Sequence, residues 1–246
     1  MSEEATTPVA VFGDPANGRW GVLVAGREPR LALSDGTERS GETEWLAVQI
    51  AVRIDNGDEG DWRLHGDGTE LTLQMAPASS HSDGDGGALK PLRLSGSVSL
   101  AGRRLDLDLP GVLLTGVRRR KLGSLRLFAS WFADGHELAV LSTRAQGAKG
   151  HDGDRLDVVA RGEEAALVFD PRLSTTYAAD GAPRTAGIEL WLGSDGDESE
   201  HSPLRVAGVA SGAVITADDV GFAAHALNCD SRGEHGTGVY LLLKSQ

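Results

Sequence analysis

Cysteine is nearly absent from this chain: Cys229 is the single one in 246 residues. One thiol excludes an intramolecular disulfide and a cysteine-built zinc site. No stretch approaches the roughly 18 consecutive apolar residues of a membrane-spanning helix. The opening "MSEEATTPVAVFGD" shows no basic start followed by an apolar run, so no secretory signal is expected. The expected location is cytoplasmic. Positive charge is also short. Lysine plus arginine number 24 against 36 acids, a net charge of −12. Such a chain is repelled by nucleic-acid phosphates and anionic lipid headgroups, so neither is an expected partner.

Motifs of familiar chemistry are missing as well. There is no Gly-x-Gly-x-x-Gly opening a helix, no Walker loop, no His-Glu-x-x-His and no Gly-x-Ser-x-Gly. Asp-Gly-Asp runs at 83–85, 152–154 and 195–197 do not continue into a calcium-loop ladder with a distal glutamate. Neither a metal nor an organic cofactor is expected.

Helical periodicity is almost absent, and strand alternation takes its place. In "EWLAVQIAVRI", Leu46, Val48, Ile50, Val52 and Ile54 share one face. "TELTLQM" repeats the pattern. "LRLSGSVSLAGRRLDLDL" reads as a hairpin turning near Ala101-Gly102. "GIELWLG", "LRVAGVASGAVIT", "ADDVGFAAHALN" and "GVYLLLK" read as further strands. The 33 glycines fall between such runs. The fold class is therefore all-β and antiparallel. Polar stretches near 79–88 and 193–202 read as loops, and "VRRRK" (117–121) sits near the midpoint as a crossover between two halves. "GDGTELTLQ" (66–74) faintly echoes "ADGHELAVL" (133–141).

The hairpin around Asp134-Gly135 is the most informative stretch. A two-residue loop pairs Ala133 with His136. Trp131, Ala129 and Leu127 then oppose Leu138, Val140 and Ser142. On the other face, Phe132, Ser130, Phe128 and Arg126 oppose Glu137, Ala139, Leu141 and Thr143. The first face suits a core. The second mixes aromatics with a few polar groups, as a ligand cavity does, or as a half-exposed face under a loop does. "GIELWL" poses a similar choice. Glu189 and Trp191 share a face, either as a raised-pKa acid in an apolar pocket or as a strand-edge glutamate beside a snorkelling indole. His225 falls inside an apolar run and is either a cavity group or a hydrogen-bonded core residue. His151, beside Asp152, is a possible general base or a turn residue; His81 and His201 sit in acidic loops.

The second half also resembles a known group. "LRLFASWFADGHELAVLSTRAQGAKGHD", "DPRLSTTYAADGAPRTAGIELWL", "PLRVAGVASGAV" and "GEHGTGVYLLL" resemble the two-domain, lipocalin-like (calycin) bacterial proteins related to carotenoid 1,2-hydratases and AttH-type proteins. The resemblance covers roughly 110–244, and more loosely "VAVFGDPANGRWG" and "EWLAVQI". It implies two packed β-barrel-like halves, placed here at 1–120 and 121–246, rather than a single large β-sandwich. It also implies a cavity for an apolar, terpenoid- or lipid-like molecule and, in the hydratases, addition of water to a carbon–carbon double bond without a cofactor. The chain departs from the group at "GVLLTGVRRRKLGSLRL", where relatives usually carry a His-Ser-Trp-Gly-like segment. The expected function is binding of a small hydrophobic ligand. The alternative is a cofactor-independent hydratase, isomerase or cyclase with Glu189 or His225 as general acid. Arg126, Phe128, Trp131, Glu137, Trp191 and Tyr240 are the expected ligand-binding residues, with Trp131 the weakest because it shares the more core-like face.

Overall fold

Apolar groups recurring at a period of two are buried together only if the segments carrying them form strands. A computed structural model bears this out for residues 7–26, 29–34, 48–51, 53–56, 61–66, 68–75, 88–100, 102–116, 122–148, 154–161, 167–168, 170–193, 203–217 and 221–243, the residues described here. The strands of the first half are β1 (Val9–Asp14), β2 (Arg19–Val24), β3 (Arg30–Leu33), β4 (Val48–Ala51), β5 (Arg53–Asn56), β6 (Trp62–Gly66), β7 (Thr69–Met75), β8 (Ala88–Leu100) and β9 (Arg103–Thr115). The second half begins with β10 (Leu122–Phe132), β11 (Glu137–Ala145), β12 (Asp154–Arg161), β13 (Leu167–Val168) and β14 (Arg172–Tyr177). It continues with β15 (Pro183–Leu190), β16 (Leu192–Gly193), β17 (Leu204–Ala217), β18 (Phe222–Ser231) and β19 (Glu234–Leu243). Among the described residues no helix is long and apolar enough to cross a membrane.

Two large antiparallel sheets result. The first runs β4-β3-β2-β1-β9-β8-β7-β6-β5 and the second β12-β11-β10-β19-β18-β17-β15-β14, with a small β13-β16 ladder beside it. In both, most strands pair with their neighbours in sequence, and the first pairs with the last, β1 with β9 and β10 with β19. The free edges of the first sheet, β4 and β5, are separated only by residue 52. Two residue steps span at most about 7 Å, so the end of one edge strand lies close to the start of the other and the sheet curls on itself. With β4 and β5 counted as one strand position, the first sheet is a closed meander of eight, and the second also has eight strands, with β12 and β14 as its edges; eight is the number whose closed form is just wide enough to be filled by side chains or to hold one small ligand. The echo between 66–74 and 133–141 does not follow this repeat. It places β6–β7 against β10–β11, whereas the shared meander order matches β10–β11 to β1–β2.

Three apolar layers hold the molecule together. Inside the first sheet lie Phe12, Leu23, Leu33, Leu64, Leu73 and Leu94, among others. Between the sheets lie Val9, Val11, Trp20 and Val22 from one side and Leu125, Leu127, Trp131 and Leu241 from the other. Inside the second sheet lie Phe128, Phe132, Val140, Ile188, Val206 and Tyr240. A single sandwich has one inter-sheet core, and the further apolar layer within each curled sheet excludes that alternative. The central hairpin needs burial on two sides because one face meets the other sheet and the other face lines its own.

Its register corrects the sequence expectation. Trp131 pairs with Glu137, Ser130 with Leu138, Phe128 with Val140 and Arg126 with Ser142. The amide of Phe132 donates to the His136 carbonyl at 3.0 Å, and Gly135 has φ 91°. The loop thus holds three residues, 133–135, closed by a left-handed glycine. One extra loop residue turns every β11 side chain to the opposite face.

Candidate ligand-binding site

The two curled sheets differ inside. The first is lined almost wholly by leucine, with Thr69 as its buried polar group at one end. The second carries Arg126, Ser130, Ser142, His225 and Tyr240 on its inward face, between strands whose other face belongs to the inter-sheet core. Burying polar groups costs free energy unless each is bonded, so their concentration in one half makes that half the candidate site.

Register orders these groups by depth. At one end of the second sheet Ala223, Leu242, Arg126 and Ser142 stand in adjacent strands. One step deeper come Val214, His225, Tyr240, Phe128 and Val140. Deeper still, the Phe128 ring rests against Gly208 and Gly238, where an added Cβ would approach it to 2.9 and 3.1 Å. Phe128 therefore plugs the interior and forms no part of an open wall. Its centroid lies 6.3 Å from that of Tyr240, with the rings tilted by 50°.

A cavity of about 590 Å³ opens at the Arg126 end, its walls including Tyr177, Val214, Thr216, Ala223, His225 and Leu242. That volume suits a small organic molecule. Tyr177 and Val214 on its rim are 44% and 46% exposed, two of the three exposed large hydrophobic side chains among the described residues. Beneath the rim the Tyr240 hydroxyl shares a hydrogen bond of 2.6 Å with Thr175 Oγ1 and lies 3.4 Å from the Tyr177 hydroxyl. Tyr240 and Thr175 stand on β19 and β14, four strand positions apart in the sheet, so this bond spans the curled interior. Burial pushes the Tyr240 phenol well above its ordinary range, with the Thr175 hydrogen bond opposing. It is a neutral hydroxyl at neutral pH.

Arg126 stands at the same end. One Nη donates to Ser142 Oγ and to Asp154 Oδ2, both at 3.0 Å. Arg144 Nε donates to the other Asp154 oxygen at 2.5 Å. Sequence inspection placed Asp154 in an Asp-Gly-Asp run, but nothing local showed that it would serve two arginines. They meet through the β10–β11–β12 register.

The expected site residues thus divide among three places. Arg126, Phe128, Tyr240 and His225 face the interior of the second sheet, and of these His225 touches the cavity. Trp131 and Glu137 lie on the inter-sheet face: Trp131 is 1% exposed within that core. The Arg93 guanidinium is held protonated first by its hydrogen bond to Asp108, with Glu137 adding a smaller attraction. Glu189 and Trp191 lie away from the interior, because Ala186, Ile188 and Leu190 take the inward positions of β15. One Glu189 oxygen accepts from the Trp191 indole at 3.1 Å, and the other from Arg205 at 3.1 Å, with Arg172 at 3.7 Å. This is an outer-face ion cluster, the snorkelling-indole arrangement, and not an acid in a pocket. Tyr177, Thr175 and Val214 were missed, since their strands carry no alternation that marks a mouth. His81, His151, His201 and all of "VRRRK" lie outside the described residues.

At the opposite end of this sheet a cleft of about 30 Å³ is bounded by Phe132, Asp134, His136, Leu204 and Arg232. It has room for about one water molecule and none for an organic ligand.

No family model and no curated protein matches the chain in sequence. Solved structures do match it in shape. CghA covers 98% of this chain and 88% of its own, with a TM-score of 0.59 at 9% identity. A Nitrosomonas europaea protein assigned as AttH covers 96% of this chain and 91% of its own, with a TM-score of 0.50 at 11% identity. At these identities the likeness is one of fold, and the fold that the sequence resemblance implied, two packed calycin-like halves, is the one this chain has.

Proposed function

We propose that the protein binds a small, largely apolar molecule in the mouth of its C-terminal half, without a cofactor. The observation that carries this reading is the cavity of about 590 Å³ whose rim holds two exposed large hydrophobic side chains, Tyr177 and Val214. Binding an apolar body would remove that rim from water, at about 25 cal/mol per Å² of apolar area covered. The fold shared with CghA and the AttH-assigned protein is compatible with this reading.

The test is native mass spectrometry of the purified full chain with organic extraction, paired with titration by N-phenyl-1-naphthylamine, a neutral apolar dye. A co-purifying terpenoid- or lipid-like compound, or saturable dye emission weakened several-fold by Val214→Asp, is expected. A clean apo mass with flat emission would end the reading.

His225 in the cavity wall favours a second reading, in which the bound molecule is turned over by acid–base catalysis as a hydratase, isomerase or cyclase would do. Glu189 has no part in it, since it faces outward. Incubating the extracted compound with wild type and His225→Gln decides: a product formed by wild type alone assigns catalysis, and unchanged compound in both leaves a binding protein.

A further inference from the structure

We infer that the ligand of this cavity carries an anionic, carboxylate-type head on its apolar body, and that Arg126 receives that head. This rests on the binding function proposed above. Arg126 stands on the inward face in the row of Leu242, a cavity wall residue. Its side chain is 23% exposed, so it is neither sealed nor free in bulk water. A guanidinium presents five N–H donors. Among the described residues Arg126 uses one Nη, toward Ser142 and Asp154, which leaves the donors on Nε and the second Nη to a ligand.

Charge balance points the same way. Asp154 is the one carboxylate paired with both Arg126 and Arg144. Among the described residues two cations share one anion there, a local surplus of one positive charge on the Arg126 side in a chain whose net charge is −12. A planar guanidinium with open donors matches a carboxylate in fork geometry. The far rim carries Asp180, whose Oδ1 accepts from the Ala182 amide at 3.0 Å. An acid head is repelled there, which directs it to the Arg126 side and lays the apolar body along Val214, Ala223 and Leu242. The Tyr177 hydroxyl, in the cavity wall and 3.4 Å from that of Tyr240, adds a hydrogen-bonding group for a second oxygen.

The experiment compares cis-parinaric acid with its methyl ester by fluorescence titration of the full chain. The two share one apolar body and differ in the head. Wild type is expected to bind the acid tenfold or more tightly than the ester, the effect of a charge-assisted hydrogen bond. Arg126→Gln should bring the acid down to the ester's affinity and leave the ester unchanged. Arg126→Lys, which keeps a cation for Asp154 but loses the fork, should keep part of the preference and serves where the glutamine variant does not fold. Equal binding of acid and ester by wild type overturns the inference while leaving the apolar cavity standing. So does an acid preference that survives in a folded Arg126 variant undiminished. Binding of neither probe, nor of the neutral dye, overturns the cavity and the head-group assignment together.

Discussion

Gly13→Ala tests the packing of one sheet on the other more sharply than any change within either. Gly13 ends the inter-sheet row of β1 after Val9 and Val11. An ideal Cβ there would stand 2.3 Å from Trp131 Cε3, and 2.9 Å from both Cδ2 and Cζ3. All three atoms belong to one rigid ring that is 1% exposed, so the indole cannot yield like the end of a flexible chain. Overpacking of this kind costs about 1–3 kcal/mol. Against it stands the loss of unfolded-state freedom on replacing glycine, which stabilises by about 0.4–1 kcal/mol. The expected net loss is about 1–2 kcal/mol, a fall in Tm of about 2–8 °C for a chain of this size. Urea unfolding of Gly13→Ala, Trp131→Leu and the double variant measures it. The leucine variant alone is expected to lose about 2–4 kcal/mol from the cavity it leaves. In the double variant the new methyl occupies part of that cavity, so the two losses should fall short of additivity by about 1 kcal/mol or more. Apolar dye affinity should be unchanged in every folded variant, because Trp131 lies in the layer between the sheets. A neutral or stabilising Gly13→Ala, or additivity within about 0.5 kcal/mol, would refute the inter-sheet geometry argued here.

Glu189→Gln should change stability by less than about 1 kcal/mol, the range of partly exposed ion pairs, and leave dye binding untouched; a large loss of binding would return Glu189 to the site. Asp157 lies on the inter-sheet face at 6% exposure, and burial raises its carboxyl pKa against the smaller pull of Arg155. The native state thus binds a proton more tightly than the unfolded chain, so this group's contribution to stability falls as pH rises from its ordinary 3.8 through the raised native value. Asp157→Asn should therefore gain in Tm relative to wild type between pH 4 and pH 7, and a pH-independent difference would contradict it. Burial, and secondarily the charge of Asp230, pushes the Cys229 thiol far above its ordinary range, so Ellman's reagent at pH 8 should find it unreactive until denaturant is added; rapid native labelling would show that the interior opens.

Much of this architecture is local and therefore readable in the chain. Period-two alternation in "LRLSGSVSLAGRRLDLDL" defines both strands and their turn, and Leu100 does pair with Arg103 around 101–102. The alternation of "GIELWL" likewise separates Glu189 from Ile188 and Leu190, and the structure decides that the glutamate side is the outer one. Register at Asp134-Gly135 was not readable, because the same dipeptide closes two kinds of loop. Around 67–68 Gly66 pairs directly with Thr69, while at 134–135 the loop takes a third residue and turns Glu137 from the expected cavity to the inter-sheet layer. Nor does any single strand reveal which of its two apolar faces meets another sheet and which encloses space. The pairing of β10 with β19, more than a hundred residues apart, brings Arg126 beside Leu242 and Phe128 beside Tyr240. The curl of the sheet then carries Tyr240 to Thr175. The all-β class and the alternation within many strands thus came from the sequence alone, since alternation is a property of consecutive residues. The cavity and the Arg126–Asp154–Arg144 cluster were decided by tertiary structure, since they exist only where distant strands close on one another.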